Sequence, residues 1–279
     1  MSRIDLPLRR TVADRVTHEN KVVDVTPGPV IEPEFHPETP SRRPTRDDES
    51  TALYAPERPD NRRSGIEVDS PVPAAAANSL ANLAQVLYLH PAQPRSIAFV
   101  AAGRREGTTT CLTNLANYLA HQRSRVLMVD ANLQSPGLHT IAGASDGPGL
   151  LQVLSGQVEA AKAIQSTAVA NLFVLPNGES APAGATHLIV PDTLRERVFN
   201  ATLDFDFVLV DCAALNTSQD AAVTAATCDA ALLVVEGGRT LREQAQAAKT
   251  LLMRADCSVL GVFMNKRKFY IPKFFYDRL

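Results

Sequence analysis

A short glycine-containing segment near position 105 has the spacing of a phosphate-binding loop. The frame G-x-x-x-x-G-K-S/T would place glycine at 102 and 107, lysine at 108 and a hydroxyl residue at 109. Gly107 and Thr109 are present, but Ala102 occupies the first glycine position and Thr108 occupies the lysine position. Backbone N–H groups of such a loop, and of the helix that follows it, bind phosphate oxygens. The segment therefore predicts a phosphate site that lacks its lysine.

The missing lysine predicts weakened binding and a larger loss of catalysis. Lysine places a full positive charge at the β- and γ-phosphates, where charge develops during phosphoryl transfer. A charge-assisted hydrogen bond contributes roughly 1.5–3 kcal/mol, so its loss weakens ATP binding about ten- to a hundredfold. Losing one well-aimed electrostatic donor costs about 10²–10³ in turnover. Arg104 or Arg105 could restore part of the charge, although neither occupies the lysine position.

Two aspartates each follow an apolar run of the strand type. Asp130 follows the run VLMV and Asp211 follows FVLV. Carboxylates at the carboxyl ends of parallel strands can hold Mg²⁺ opposite the Thr109 hydroxyl. An aspartate in this place often only caps a helix, so each one alone leaves both interpretations open. Together with the loop, the pair favours a magnesium site.

The elements that would position these residues alternate between strand and helix. Almost wholly apolar runs are typical of a parallel sheet that is buried on both faces. Strands are predicted near 96–101, 125–129, 171–175, 206–211, 229–235 and 258–264. Helices are predicted at 74–89 and near 108–121, 147–155, 188–202, 217–227 and 240–255. The pattern predicts a doubly wound, mostly parallel α/β sheet with its ligand at the carboxyl ends of the strands.

The chain divides into a proline-rich arm and one domain. Residues 1–73 hold 11 of the 19 prolines without sustained periodicity, which is typical of a disordered arm. Such an arm serves either as a partner-binding tail or as a solvated spacer. The domain covers 74–279, with an N-terminal helix at 74–90 and a tail at 266–279. The apolar face of that helix (Leu80, Leu83, Ala84 and Leu87) predicts packing against the domain or another subunit.

Composition excludes several classes of protein. A net charge of −2 gives no electrostatic case for nucleic-acid binding. The chain has no run of 18 uncharged apolar residues, so we expect no transmembrane segment. The four cysteines lack metal-ligand spacing, which favours buried, reduced thiols. There is neither a GxGxxG dinucleotide fingerprint nor a Ser-His-Asp arrangement.

Six sequence blocks, in order, resemble the bacterial tyrosine kinases of capsule and exopolysaccharide synthesis, a branch of the deviant-Walker P-loop ATPases. The resemblance covers roughly 78–268. The blocks are REGTTT (105–110), NLA (114–116), RVLMVDANLQSPGLH (125–139), GLLQVLSG (149–156), FDFVLVDCAA (205–214) and GVFMN (261–265). The family's corresponding pattern includes PGEGKST, IDADLR, DTPP and GVVLN.

The resemblance implies a P-loop NTPase fold, ATP or ADP with Mg²⁺ as cofactors, and a set of site residues. Asp130 and Asp211 take the catalytic positions, and together with Thr109 they take the metal positions. The nucleotide-binding positions fall on Gly103, Arg104, Arg105, Glu106, Gly107, Thr108, Thr109, Thr110 and Asn265. The implied partner is a membrane-embedded polysaccharide co-polymerase or chain-length regulator. The expected location is the cytoplasm, with peripheral inner-membrane association through that partner or the tail as a further possibility.

Departures from the family pattern leave three functions open. Besides Thr108, Asn132 replaces a second acidic residue and Gln134 replaces an arginine. The family's E-x-x-R-x-x-R helix for ring assembly is absent near 75–84, so oligomerisation remains possible without its usual motif. The tyrosine cluster is reduced to Tyr270 and Tyr276. These changes favour a degenerate nucleotide-binding regulator over an active autokinase or a scaffold that binds no nucleotide.

The tail at 266–279 carries five basic residues, one acidic residue and several aromatic ones. Two interpretations are open. The aromatic side chains could pack back onto the domain, or the tail could dock at an anionic membrane surface or on the membrane partner.

Overall fold

A seven-stranded sheet forms the centre of the computed structural model, which describes residues 74–145, 147–178, 189–218 and 220–267. The strands are β1 (Ser96–Ala101), β2 (Val126–Ala131), β3 (Gln165–Ser166), β4 (Leu172–Leu175), β5 (Phe207–Cys212), β6 (Ala230–Glu236) and β7 (Val259–Asn265). Their order across the sheet is β3-β4-β2-β5-β1-β6-β7. Only β3 runs antiparallel to its neighbour. The predicted mostly parallel α/β fold is confirmed.

Eight α-helices surround the described sheet. They are α1 (Ala74–Leu89), α2 (Thr108–His121), α3 (Leu138–Ala142), α4 (Leu150–Leu154), α5 (Ala160–Ala163), α6 (Pro191–Leu194), α7 (Asp220–Thr227) and α8 (Arg242–Arg254). The predicted helix at 188–202 is composite, because α6 continues through a π-helical turn, Arg195–Phe199, and a 3₁₀ turn, Asn200–Thr202. The sequence prediction missed α3, α5 and β3, which are all short.

The hydrophobic core lies in two layers, one on each face of the sheet. Alternate residues of a strand enter opposite layers, as the strand's period of two requires. On β1, Ala98 and Val100 join one layer while Ile97 and Phe99 join the other. Every residue of β1, β2 and β5 is buried. The three strands that end at the candidate site are therefore held rigidly by packing on both faces.

The N-terminal helix α1 packs on the domain, as its apolar face predicts. Leu80, Ala84 and Leu87 are each only 2% exposed and lie in the same core layer as the apolar residues of α2. Tyr88 sits edge-on to Phe207, with ring centroids 5.4 Å apart. The Tyr88 hydroxyl also forms a hydrogen bond of 2.7 Å with the Ser124 hydroxyl. The helix is thus an integral part of the domain.

Two further predictions can be compared with the structure. All four cysteines are free and buried, as expected of core thiols. In the part of the chain that the structure describes, no helix has the length and apolar character needed to cross a membrane. The arm at 1–73 and the tail from 268 onwards lie outside the described residues, so the sequence predictions for them remain predictions.

Candidate nucleotide and magnesium site

The loop between β1 and α2 opens directly onto the start of a helix. Gly107 precedes α2 with a left-handed backbone, φ 91°, and the first helical hydrogen bond runs from the Cys111 N–H to the Gly107 carbonyl at 2.9 Å. The N–H groups of a helix's first turn have no acceptor within the helix and carry a partial positive charge. Gly107 has no side chain with which to cap them. This helix start can therefore accept an anion.

Thr109 and Asp211 meet at the carboxyl ends of the strands, as the sequence predicts. The Thr109 hydroxyl donates a hydrogen bond of 2.6 Å to one carboxylate oxygen of Asp211. The other oxygen, Oδ1, is buried and has no hydrogen-bond partner within the described part of the chain. Magnesium prefers oxygen ligands of this hard type. A buried, unpartnered carboxylate oxygen beside a hydroxyl fits such an ion.

Burial controls the charge of Asp211. Removal of water around this carboxyl raises its pKa to about 8, an effect that the hydrogen bond from Thr109 opposes and the nearby negative charge of Asp130 reinforces. Burial therefore favours the protonated form of this side chain. A cation at this site would favour the ionised form, so its binding would depend on pH.

Asp130 lies beside Asp211 but is already engaged. The two residues are register partners on the adjacent strands β2 and β5. The Asp130 carboxylate accepts backbone N–H groups from Asn132 at 3.2 Å, Gly137 at 3.1 Å and Leu138 at 3.0 Å. Burial raises the pKa of Asp130, and these three bonds oppose the rise. Its carboxylate thus caps the start of α3, which is the structural alternative recognised from the sequence, and its metal role remains a prediction.

Glu106 shapes the loop from inside. Its side chain is 5% exposed, and its carboxylate accepts the Ala102 N–H at 3.0 Å and the Thr240 hydroxyl at 2.5 Å. The Thr240 oxygen in turn accepts the Glu236 N–H at 2.9 Å. A Cβ on Gly103 would lie 3.3 Å from this carboxylate, so the loop is closely packed here. Glu106 therefore joins the loop to the turn that follows β6.

Asn265, predicted from the resemblance, holds the loop from the end of β7. Its side-chain amide donates a hydrogen bond of 2.8 Å to the Glu106 carbonyl. A side chain at Gly107 would collide with the same amide, and φ at that position is positive. Only glycine satisfies both constraints.

The remaining predicted residues lie on the outer side of the loop. Arg104, Arg105 and Thr110 are exposed, while Thr108 is half-buried as the first residue of α2. Arg105 has a left-handed backbone, φ 64°, at a position where the family pattern has glycine. This conformation is uncommon for a residue with a side chain.

The sequence reasoning missed Lys266, Glu236 and Thr240. The Lys266 ammonium donates hydrogen bonds to the Arg105 carbonyl at 2.5 Å and to the Glu236 carboxylate at 3.0 Å. Lys266 and Arg105 are 161 residues apart in the chain. No short motif joins them, because only the sheet order brings the ends of β6 and β7 beside the loop.

Comparison with known proteins identifies the family of this chain. The family model described as an AAA domain matches residues 95–240, which include the loop and both strand-end aspartates. Tyrosine-protein kinase YwqD of Bacillus subtilis is 31% identical over 176 residues, covering 63% of this chain and 74% of YwqD. The succinoglycan biosynthesis transport protein ExoP of Rhizobium meliloti is 32% identical over 216 residues, covering 75% of this chain. This chain spans only 27% of the length of ExoP.

Solved structures share the fold. The kinase domain of the Escherichia coli tyrosine kinase ETK superposes with a TM-score of 0.65 at 22% identity, covering 76% of this chain and 86% of that domain. The septum site-determining protein MinD of Pyrococcus horikoshii, solved with Mg-ADP, gives a TM-score of 0.54 at 26% identity. That match covers 66% of this chain and 76% of MinD.

Proposed function

Because the chain belongs to the bacterial tyrosine-kinase family within the AAA-domain proteins, we propose that it is a regulator of exopolysaccharide or capsule synthesis with a weakened nucleotide site. The site binds ATP or ADP with Mg²⁺ and transfers phosphate at close to background rate. One observation carries this proposal. The Thr109–Asp211 pair on the magnesium side is intact, whereas Thr108 stands where the loop lysine would be.

The chain's own residues divide the work of binding. Backbone N–H groups of 103–109 and the start of α2 hold the phosphates, and Asn265 fixes the shape of the loop. Thr109 and the ionised carboxylate of Asp211 would hold Mg²⁺, with Asp130 beside them. The bound ion supplies positive charge to the phosphates. Glu106 contributes through its backbone, since its carboxylate is used inside the loop.

The relatives suggest the cellular setting. YwqD is a tyrosine kinase, and ExoP is named as a transport protein of succinoglycan biosynthesis. On this basis the partner is a membrane-embedded polysaccharide co-polymerase or chain-length regulator. The chain acts on the cytoplasmic side of that partner. The partner can respond there to a nucleotide-dependent conformational change without phosphate transfer.

An ATP titration in the presence of Mg²⁺, followed by calorimetry, tests the proposal. We expect a dissociation constant between micromolar and millimolar, since the loop N–H groups persist and the lysine charge does not. No heat of binding at millimolar ATP would contradict the proposal and favour a scaffold that binds no nucleotide.

Transfer from labelled ATP tests the weak-kinase part. We expect labelling of Tyr270 and Tyr276, which lie outside the described residues, to stay near background. Labelling at rates usual for kinases would instead identify an active autokinase with a compensated loop. The variant Asp211→Asn is the matched inactive control, because it keeps the shape of the side chain and removes its negative charge.

A further inference from the structure

A lysine from the far end of the sheet lies against the loop that lacks one. The Lys266 ammonium is 2.5 Å from the carbonyl oxygen of Arg105, in the centre of the loop. The Lys266 Cε lies 3.6 Å from the position that a Cβ on Gly107 would occupy. The lysine stem therefore passes alongside the glycine that precedes α2. A full positive charge is thus present at the loop although Thr108 provides none.

Contacts at the end of β7 orient the Lys266 side chain towards the loop. The Asn265 amide binds the Glu106 carbonyl at 2.8 Å, and the Asn265 side-chain oxygen accepts the Lys266 N–H at 2.8 Å. Lys266 itself has a left-handed backbone, φ 53°. Residues with side chains adopt this conformation infrequently, and usually where the surroundings impose it. The turn directs Lys266 back towards the loop instead of onwards along the chain.

Glu236 at the end of β6 is the counter-ion of Lys266. Its carboxylate accepts Lys266 at 3.0 Å and Arg239 at 3.2 Å, and its side chain is 17% exposed. The hydrogen bond from Lys266 is the main reason that the pKa of Glu236 is lowered. Glu236 therefore helps to hold the Lys266 ammonium beside the loop and offsets part of its positive charge.

We propose that Lys266 takes over part of the role of the missing loop lysine, by supplying positive charge to a nucleoside di- or triphosphate bound at 103–109. The proposal rests on the nucleotide binding proposed above. Lys266 is exposed, as are Arg104 and Arg105, the substitutes suggested by the sequence, but its ammonium is held at the loop by hydrogen bonds to the Arg105 carbonyl and the Glu236 carboxylate. A unit charge beside the loop attracts phosphate charges without direct contact, and the surrounding solvent weakens this attraction without abolishing it.

The test compares Lys266→Met with a matched pair elsewhere. Lys162, which also pairs with a glutamate, Glu159 at 3.3 Å, lies in α5 next to the opposite edge strand β3. Calorimetry with ATP, ADP and adenosine should show Lys266→Met losing about tenfold in affinity for ATP and ADP and less than about twofold for adenosine. Lys162→Met should change none of the three. Lys266→Arg should restore most of the loss, because the charge returns.

Removal of the negative charge of Glu236 should change ATP affinity in the opposite direction to removal of Lys266. Glu236→Gln keeps an oxygen that can accept a hydrogen bond from Lys266 but removes the negative charge that offsets it, so ATP binding should strengthen by about twofold or more, while the matched Glu159→Gln leaves ATP binding unchanged. In a Thr108→Lys background the effect of Lys266→Met should shrink, since the loop has its own lysine again.

Three results would overturn the proposal. Equal losses for ATP and adenosine in Lys266→Met would mean that the lysine contacts the nucleoside rather than serving the phosphates. If wild type binds ATP and Lys266→Met binds it equally well, Lys266 does not supply charge to the phosphates, but the proposed function is unaffected. If wild type does not bind ATP, both the role of Lys266 and the proposed function are wrong. Melting temperatures of the variants within a few degrees of wild type ensure that affinity, not folding, is compared.

Discussion

Thr108 is the first residue of α2 and places a hydroxyl where the loop frame has an ammonium group. Around it, the hydroxyl of Thr109, the buried oxygen of Asp211 and the free start of the helix are all retained. A phosphate loop binds phosphate oxygens through its backbone N–H groups and offsets their negative charge through its lysine, and here different residues serve these two roles. The backbone still provides the N–H groups, whereas the positive charge has to come from residues outside the lysine position.

Thr108→Lys should restore the missing charge. We expect ATP affinity to rise about ten- to a hundredfold, because a charge-assisted hydrogen bond contributes roughly 1.5–3 kcal/mol. Calorimetric titration with ATP and Mg²⁺ measures the change. Thr110→Lys, two residues further along at an exposed position, is the control for added positive charge in general. Equal gains from both variants would mean that net charge, rather than its position in the loop, limits binding.

Asp211 should make the stability of the free protein depend on pH. Its folded pKa, about 8, lies above the value of about 3.9 expected in the unfolded chain. Its contribution to stability is therefore present in full below about pH 4 and is lost as pH rises through about 8. Asp211→Asn removes this loss and keeps an acceptor for Thr109, so its melting temperature should exceed that of wild type by more at pH 9 than at pH 5.

Thermal melts in a chelator without nucleotide measure this difference. The exposed Asp192, whose side chain is 93% accessible, provides the control Asp192→Asn. A difference between Asp211→Asn and wild type that stays constant with pH would contradict the ionisation argument. Added Mg²⁺ should reduce the difference in melting temperature between Asp211→Asn and wild type at pH 9, because the ion stabilises only the wild-type protein.

The sequence predicted single residues where a short motif or a strand end marked them. Thr109 and Asp211 were predicted to face each other at the carboxyl ends of the strands, and their side chains are hydrogen-bonded there. Asn265 was predicted as a nucleotide-binding residue; its amide contacts the loop, and its nucleotide role stays a prediction. The sequence left the use of Asp130 open, since a carboxylate after a strand can cap a helix or hold a metal. Lys266 could not be predicted, because its contact with Arg105 depends on which strands become neighbours.

At the scale of elements, burial decided which predictions succeeded. The six predicted strands were found within about two residues, because strands of a parallel sheet buried on both faces are nearly continuous apolar runs that stand out in the sequence. By contrast, β3 has only two residues and α5 only four, too few for any periodicity to be visible. The segment at 188–202 is helical as predicted, but its π-helical turn had no sequence signal.

The helix α1 should contribute to stability through one face only. Leu87 is 2% exposed in the core layer beside α2, whereas its neighbour Val86 is 37% exposed. Leu87→Ala should lower the free energy of unfolding by roughly 2–5 kcal/mol, since it leaves a cavity. Val86→Ala should change it by about 0.5 kcal/mol or less. Urea unfolding measures both, and similar small effects would mean that α1 is not part of the cooperative unit.

At the scale of the whole molecule, the sheet order joins distant parts of the chain at one edge. The loop after β1 is tied to the turn after β6 through Glu106 and Thr240, and to the end of β7 through Asn265 and Lys266. Lys266 is also the first residue of the basic tail, 266–279. Any ligand that moves the loop therefore acts close to the point where the tail begins.

The tail beyond the described residues is predicted either to pack back onto the domain or to dock at an anionic membrane surface or on the membrane partner, and its deletion distinguishes the two interpretations. Removal of 269–279 deletes Lys273, Arg278 and five aromatic side chains but keeps Asn265 and Lys266. Two basic residues contribute about 1 kcal/mol each near such a surface, so partition into anionic vesicles should fall by more than about tenfold. Sedimentation with anionic and neutral vesicles measures this, and the neutral vesicles should bind neither form. In the docking interpretation the melting temperature should change little, since the tail then contacts the membrane and not the domain. Unchanged partition together with a large drop in melting temperature would instead make the tail a packed part of the domain.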